Sequence, residues 1–168
     1  MRDWRLSRVI SGGQSGADRA GLEVARALGI PTGGTAPKGW RTEYGPDLDL
    51  RDVFGLVESE SLGYDARTLA NVRGSDGTVV FGAATGGTGL TLGYCRVLEK
   101  PHLHNSDAAT LRAWITEFDI KILNVAGSRH SKNPRIFDVA AEVVFYAITV
   151  PSARPVEALI PRNPHAGR

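Results

Sequence analysis

Short apolar runs alternate with helix-like stripes along most of this chain. Ser7 to Ser11 carries the apolar pair Val9-Ile10, and Ala17 to Leu28 then sets Leu22, Val24, Ala25 and Leu28 on or near one face. That spacing predicts a strand followed by an amphipathic helix. Gly29 stops the helix, and Ile30-Pro31 opens a short extended piece. Tyr64 to Arg73 returns to helical spacing through Leu69 and Val72, and Ser75-Asp76-Gly77 is a turn. Thr78-Val79-Val80-Phe81 is continuously apolar or β-branched, the pattern of a strand buried on both faces. Leu90 to Glu99 reads as a second crossover helix and Pro101 to His104 as a short strand. Ser106 is placed to cap a helix through Phe118, with Leu111, Trp114, Ile115 and Phe118 as its stripe. Lys121 to Val125 is a third clear strand. With Pro134 at a first helical position, the last helix runs to about Ile148.

Strand alternating with helix predicts an α/β fold: a Rossmann-like, doubly wound, mostly parallel sheet of about five strands with helices on both faces. Residues 1–150 would form one ligand-binding domain. Residues 151–168 would be a tail that Pro151, Pro155, Pro161 and Pro164 keep from regular helix, so that it is loose or lies across a neighbour. From Thr32 to Glu60 the pattern is broken by Gly33, Gly34, Pro37, Gly39, Gly45, Pro46 and Gly55. Because this stretch also carries Trp40, Tyr44 and Phe54, it reads as an ordered loop folded over something rather than as disorder.

Composition narrows the classes. At 168 residues, 42% apolar and 23% charged, the chain has enough surface to bury a core. A formal net charge of +2 disfavours nucleic acid, which calls for a clustered basic face. One cysteine, Cys95, excludes an internal disulfide and fits a reducing compartment. No run of 18 apolar residues occurs and Met1-Arg2-Asp3-Trp4-Arg5 leads into no apolar signal core, so the expectation is a cytoplasmic protein without a membrane span.

The chemistry concentrates where strands end. Val9-Ile10 runs into Ser11-Gly12-Gly13-Gln14-Ser15-Gly16 and then a helix carrying Asp18 near its start. Glycine lets a backbone turn sharply and lets a ligand approach its N–H groups, and a helix start is positive and short of acceptors. Gly12, Gly13, Gln14, Ser15 and Gly16 therefore read as an anion cradle, with a plain strand-to-helix turn as the competing reading. The string fits neither G-x-x-x-x-G-K-[ST] nor G-x-G-x-x-G. Two further small-residue loops, Gly82 to Gly89 and Ala126 to Asn133, also follow strands. In a parallel sheet all three would open on the carboxyl edge, where such folds bind ligands.

Five strings, S-G-G-Q-S-G-A-D-R, P-K-G-W-R-T-E-Y-G, R-T-L-A-N-V-R-G-S-D-G-T, T-G-G-T and N-V-A-G-S-R, resemble in content and order the motifs of the putative molybdenum carrier family. That family shares a Rossmann-like superfamily with the lysine-decarboxylase-like, or "Lonely guy", phosphoribohydrolases and the DNA-processing proteins. The resemblance spans nearly the whole chain to Ile148. It implies a nucleotide-binding α/β sandwich whose small anionic ligand is molybdate, the molybdenum cofactor or a nucleotide-like compound. It also implies a ligand set: Gly12, Gly13, Gln14, Gly16 and Asp18 from the first motif, beside Ser15 of the cradle, then Lys38 and Glu43, then Asn71 and Arg73. Thr85, Gly86, Gly87 and Thr88 follow, and Gly127, Ser128 and Arg129 close it. Arginine grips tetrahedral oxyanions with a planar fork and lysine adds a point charge. Asn71 and Arg73 read equally well as ordinary helix residues.

His102 and His104 share one face of a strand, but no carboxylate or cysteine sits beside them at ligand spacing, and no metal site is assigned. Asp107 belongs to the cap of the next helix and Cys95 to the core. G-Q-S-G around Ser15 is not a hydrolase elbow. The reading is a carrier or binding protein, with a nucleotide-acting hydrolase as the alternative. Pairing into a homo-oligomer is compatible with a flat α/β unit. On this reading Gly13→Val abolishes binding and leaves the fold intact.

Overall fold

In the computed structural model, residues 6–149 and 160–168 are described. The expectations for the first five residues and for 151–159 lie outside the described residues. The chain runs β1 (Arg8–Ile10), α1 (Ala17–Leu28), β2 (Thr32–Gly33), β3 (Thr35–Ala36), a 3-10 turn (Lys38–Trp40), β4 (Arg41–Thr42), β5 (Gly45–Pro46), α2 (Asp49–Asp52) and β6 (Val57–Glu58). It continues with α3 (Tyr64–Arg73), β7 (Gly77–Phe81), α4 (Gly86–Val97), β8 (His102–His104), α5 (Ala108–Glu117), β9 (Ile122–Gly127) and α6 (Ile136–Ile148).

The central sheet has five strands in the order β2-β1-β9-β7-β8, all parallel. The last strand of the chain thus sits in the middle, with Asn124 beside both Ile10 and Thr78. Alternation along the strands sorts the two faces. Val9, Val79, Phe81, Leu123 and Val125 join α1, α5 and α6 in the main core, and α3 and α4 pack together on the other face. This is the doubly wound α/β arrangement expected from the alternation, and every residue of β7 is buried, as its uninterrupted apolar run requires. Among the described residues no helix is long and apolar enough to cross a membrane.

The glycine-broken span forms small elements of its own. β3 pairs with β6 and β4 with β5, while Ala36, Leu50, Phe54 and Leu56 close around Leu22 of α1, with Trp40 packed on them. The span folds over α1 and the first glycine loop.

Two helix starts differ from the sequence reading. α4 starts at Gly86, four residues before Leu90, because glycines of poor helix propensity form its first turn. Of the two cap candidates for α5, Ser106 and Asp107, it is Asp107 that caps, accepting from the Thr110 N–H at 2.7 Å. α6 begins at Ile136, two residues after Pro134. The end of the chain packs back on the body: Asn163 Nδ2 lies 3.2 Å from His130 Nδ1, and the Arg168 guanidinium lies 5.2 Å above the Tyr44 ring.

Candidate functional site

The loops after β1, β7 and β9 meet along the carboxyl edge of the sheet and line one cleft of about 1070 Å³. Its floor is β9 itself, through Asn124, Ala126 and Gly127. One wall is α3, with Tyr64, Arg67, Thr68 and Asn71, and the other is the start of α4. Gly12, Gln14 and Asp18 come from the first loop, and Ser128, Arg129 and Lys132 from the third.

Three successive N–H groups of the first loop are satisfied from within. The Gly13 N–H donates to Ser11 Oγ at 3.1 Å, the Gln14 N–H to Asp18 Oδ2 at 3.2 Å, and the Ser15 N–H to Gln14 Oε1 at 3.0 Å. Gln14 Oε1 also accepts the Glu43 N–H at 3.0 Å. The Asp18 carboxylate therefore fills the loop, and backbone carbonyls take first-turn donors of α1, the Ala17 N–H donating to Ser128 O at 3.2 Å and the Arg19 N–H to Gln14 O at 3.1 Å. Burial pushes the Asp18 pKa above the ordinary carboxylate value, although Arg67 and the Gln14 and Gly127 N–H groups pull the other way. Arg67 Nη1 lies 3.2 Å from Asp18 Oδ2, the guanidinium lies 5.4 Å above the Tyr64 ring, and a Cβ on Gly12 would run into it.

The second loop is the open one. Thr85 precedes α4 without a side-chain cap, Gly86 and Gly87 are exposed, and a Cβ on either would meet nothing within 4 Å. First-turn N–H groups and the positive end of the helix dipole thus face the cleft, with Arg129 and Lys132 on the same rim. The third loop is built for closeness. Gly127 has φ +154°, and a Cβ there would strike Phe81 O and lie 2.9 Å from Ala17 Cβ.

The cleft thus gathers Gly12, Gln14, Asp18, Asn71, Thr85, Gly86, Gly87, Thr88, Gly127, Ser128 and Arg129 of the ligand set read from the sequence. Gly13, Ser15, Gly16, Lys38, Glu43 and Arg73 do not line it. Gly13 packs toward Leu50 and Leu56, and Gly16 toward Ser128 and Ile136. Lys38 lies in the exposed 3-10 turn, and Arg73 is exposed in the last turn of α3. Asn71 reaches the cleft, but its amide is spent on the Thr35 backbone, accepting at 2.8 Å and donating at 3.0 Å.

Glu43 is a latch. Its carboxylate accepts from the hydroxyls of Ser15 and Ser131 and from the Ser131 N–H at 3.0 Å, with Arg129 Nε 3.6 Å away. Burial pushes the carboxyl up, but the Ser131 and Ser15 hydrogen bonds and the Arg129 charge outweigh it and hold its pKa below the ordinary value. A carboxylate whose folded pKa is depressed adds stability above its unfolded pKa and loses it as pH falls through the folded one. Thermal melts from pH 7 downward should show Glu43→Gln less stable than the parent at neutral pH, with the gap closing below about pH 4. A gap independent of pH would contradict the assignment.

Residues missed in the sequence include Arg67, Thr91, Asn124 and Lys132. Arg67 stands four residues before Asn71 in one string, hence on the same helix face, and Asn124 was a polar residue inside an apolar strand. His102 Nδ1 lies 3.0 Å from Lys100 O and His104 Nε2 2.6 Å from Gly82 O, so each ring is tied to the backbone. Cys95 is buried, with its thiol pushed up by that burial and hydrogen-bonded to Thr78.

Residues 9–148 match the model of the circularly permutated YpsA SLOG family, and the chain belongs to that family. It is similar to the crystal structure of a putative molybdenum carrier protein from Syntrophus aciditrophicus SB, with 35% identity and a TM-score of 0.80 over 88% of this chain and 98% of that one. The resemblance read from the five strings therefore holds at the level of structure. No curated protein matches the chain.

Proposed function

We propose that this member of the circularly permutated YpsA SLOG family is a carrier that holds a tetrahedral oxyanion, free or as a phosphate ester, at the first turn of α4 and leaves it chemically unchanged. The observation that carries this reading is the uncapped, side-chain-free start of α4 facing the cleft, which Arg129 also lines. Phosphate and molybdate are both tetrahedral and take the same N–H and guanidinium donors. The name of the similar Syntrophus protein supports a molybdenum species as cargo. Among the described residues no group of three His, Cys, Asp or Glu side chains is placed to hold a bare metal ion. Molybdenum would thus be gripped through its oxygens, or through the phosphate of a pterin-type cofactor. Nucleotide-like phosphates fit the same donors.

The competing reading is hydrolysis of a nucleotide. The phosphoribohydrolases resembled here place a glutamate after their glycine string, where this chain reads Thr85-Gly86-Gly87-Thr88-Gly89-Leu90-Thr91-Leu92-Gly93. Gly93 stands at the glutamate position. Glu43 is outside the cleft, and Asp18 is engaged by Arg67 and the Gln14 N–H. A missing transition-state carboxylate lowers turnover and spares ground-state binding. Incubated with a panel of nucleoside monophosphates, the protein should bind without releasing base or ribose phosphate. Robust release, abolished by Asp18→Asn, would make it a hydrolase.

A further inference from the structure

The deep end of the cleft has its own chemistry. Asn124 is 1% exposed at the centre of the middle strand, on the face turned toward α3 and α4, between Ile10 and Thr78 of the neighbouring strands. Its Nδ2 donates to Thr78 Oγ1 at 3.2 Å, and its Oδ1 has no partner among the described residues. Buried carbonyl oxygens are rarely left so. Of the other polar side chains of the cleft, Asn71 is spent on the Thr35 backbone and the Thr91 hydroxyl on Gly87 O at 3.0 Å, while Arg67 Nε, like Asn124 Oδ1, has no partner among the described residues. Ala126, the next residue on the same face of β9, is small and lines the cleft with it. A bare tetrahedral oxyanion displaces roughly three water volumes, about 90 Å³, a small part of a cleft of about 1070 Å³.

We infer that the cleft is built for a two-part ligand: an anionic group at the first turn of α4 and an uncharged organic head whose N–H or O–H donates to Asn124 Oδ1. This rests on the oxyanion reading above and adds to it the class of cargo, an organic phosphate or oxyanion conjugate rather than a free ion. The head is uncharged because a buried cation would need a counter-charge, and of the two carboxylates lining the cleft among the described residues, Asp65 is exposed and Asp18 is already paired with Arg67. Asn124 is then the residue that separates the conjugate from the free ion.

The test is calorimetric titration of the full chain with inorganic phosphate, molybdate, ribose 5-phosphate and the nucleoside 5′-monophosphates. At least one organic phosphate should bind the parent protein tenfold or more tightly than inorganic phosphate. Asn124→Leu should erase that gain and leave phosphate and molybdate affinity unchanged. Asn124→Asp, which still accepts, should keep the ratio of organic to inorganic affinity even as its charge weakens both. Organic phosphates no tighter than inorganic phosphate in the parent protein would overturn the inference, whatever the variants do, and so would Asn124→Leu with the gain intact. A parent protein that binds no anion at all would instead remove the carrier reading, and this inference with it.

Discussion

Gly87→Val is expected to cut the affinity for phosphate and molybdate by a hundredfold or more while leaving the melting temperature within a few degrees of the parent. Gly87 stands in the first turn of α4, exposed and at an ordinary backbone angle, and an added Cβ would meet no protein atom. The fold therefore has no reason to object. Valine is a better helix residue than glycine. The anion does object, because the branched side chain covers the N–H groups it must reach. A hydrogen bond to a charged group contributes about 1.5–3 kcal/mol, so losing two costs roughly 3–6 kcal/mol, and each 1.4 kcal/mol is a factor of ten in Kd. Calorimetry with phosphate, paired with a thermal melt, reads both quantities. Unchanged affinity in a stable variant would place the anion elsewhere in the cleft.

The fold was legible because its signals are local. The buried run Thr78 to Phe81, the stripe of α1 and the glycine that ends it are each written in a few neighbouring residues. α1 and α3 lie where the periodicity puts them. The convergence of three strand-end loops followed from parallel topology alone. What stayed hidden depends on partners distant in sequence. Glycine density marked both the first loop and the start of α4, but the same residue serves opposite purposes in them. In the first it lets backbone and side chains close on each other, and the Gly13, Gln14 and Ser15 donors are then filled by Ser11, Asp18 and Gln14. In the second it leaves donors open to the cleft. Nothing in a local string says which acceptor will reach a given N–H. Glu43 illustrates the same limit. Its partners Ser15 and Ser131 lie 28 and 88 residues away, and only the folded chain shows that it ties loops together outside the cleft.

Gly13→Val is expected to destabilise the protein rather than to strip it of ligand, the reverse of what the sequence alone led us to expect. Gly13 has φ +77°, and a Cβ there would lie 2.8 Å from Leu50 Cδ1 and 3.2 Å from Leu56 Cδ2. Leu50 is fully buried in the small cluster around Leu22, so it has little room to retreat. A β-branched residue in the left-handed region costs about 1–2 kcal/mol, and overpacking a core costs about 1–3 kcal/mol. Together they should remove roughly 2–5 kcal/mol. At about 2–4 °C per kcal/mol for a chain of this size, that lowers Tm by roughly 4–20 °C. Gly13→Ala should lose less, since it keeps the backbone strain and the Cβ contacts but adds no methyl groups beyond them. Below the new Tm, anion affinity should stay within a few fold of the parent, because Gly13 does not line the cleft and its N–H is held by Ser11. A variant that melts like the parent yet no longer binds would restore Gly13 to the anion site and count against the division of labour between the two glycine loops.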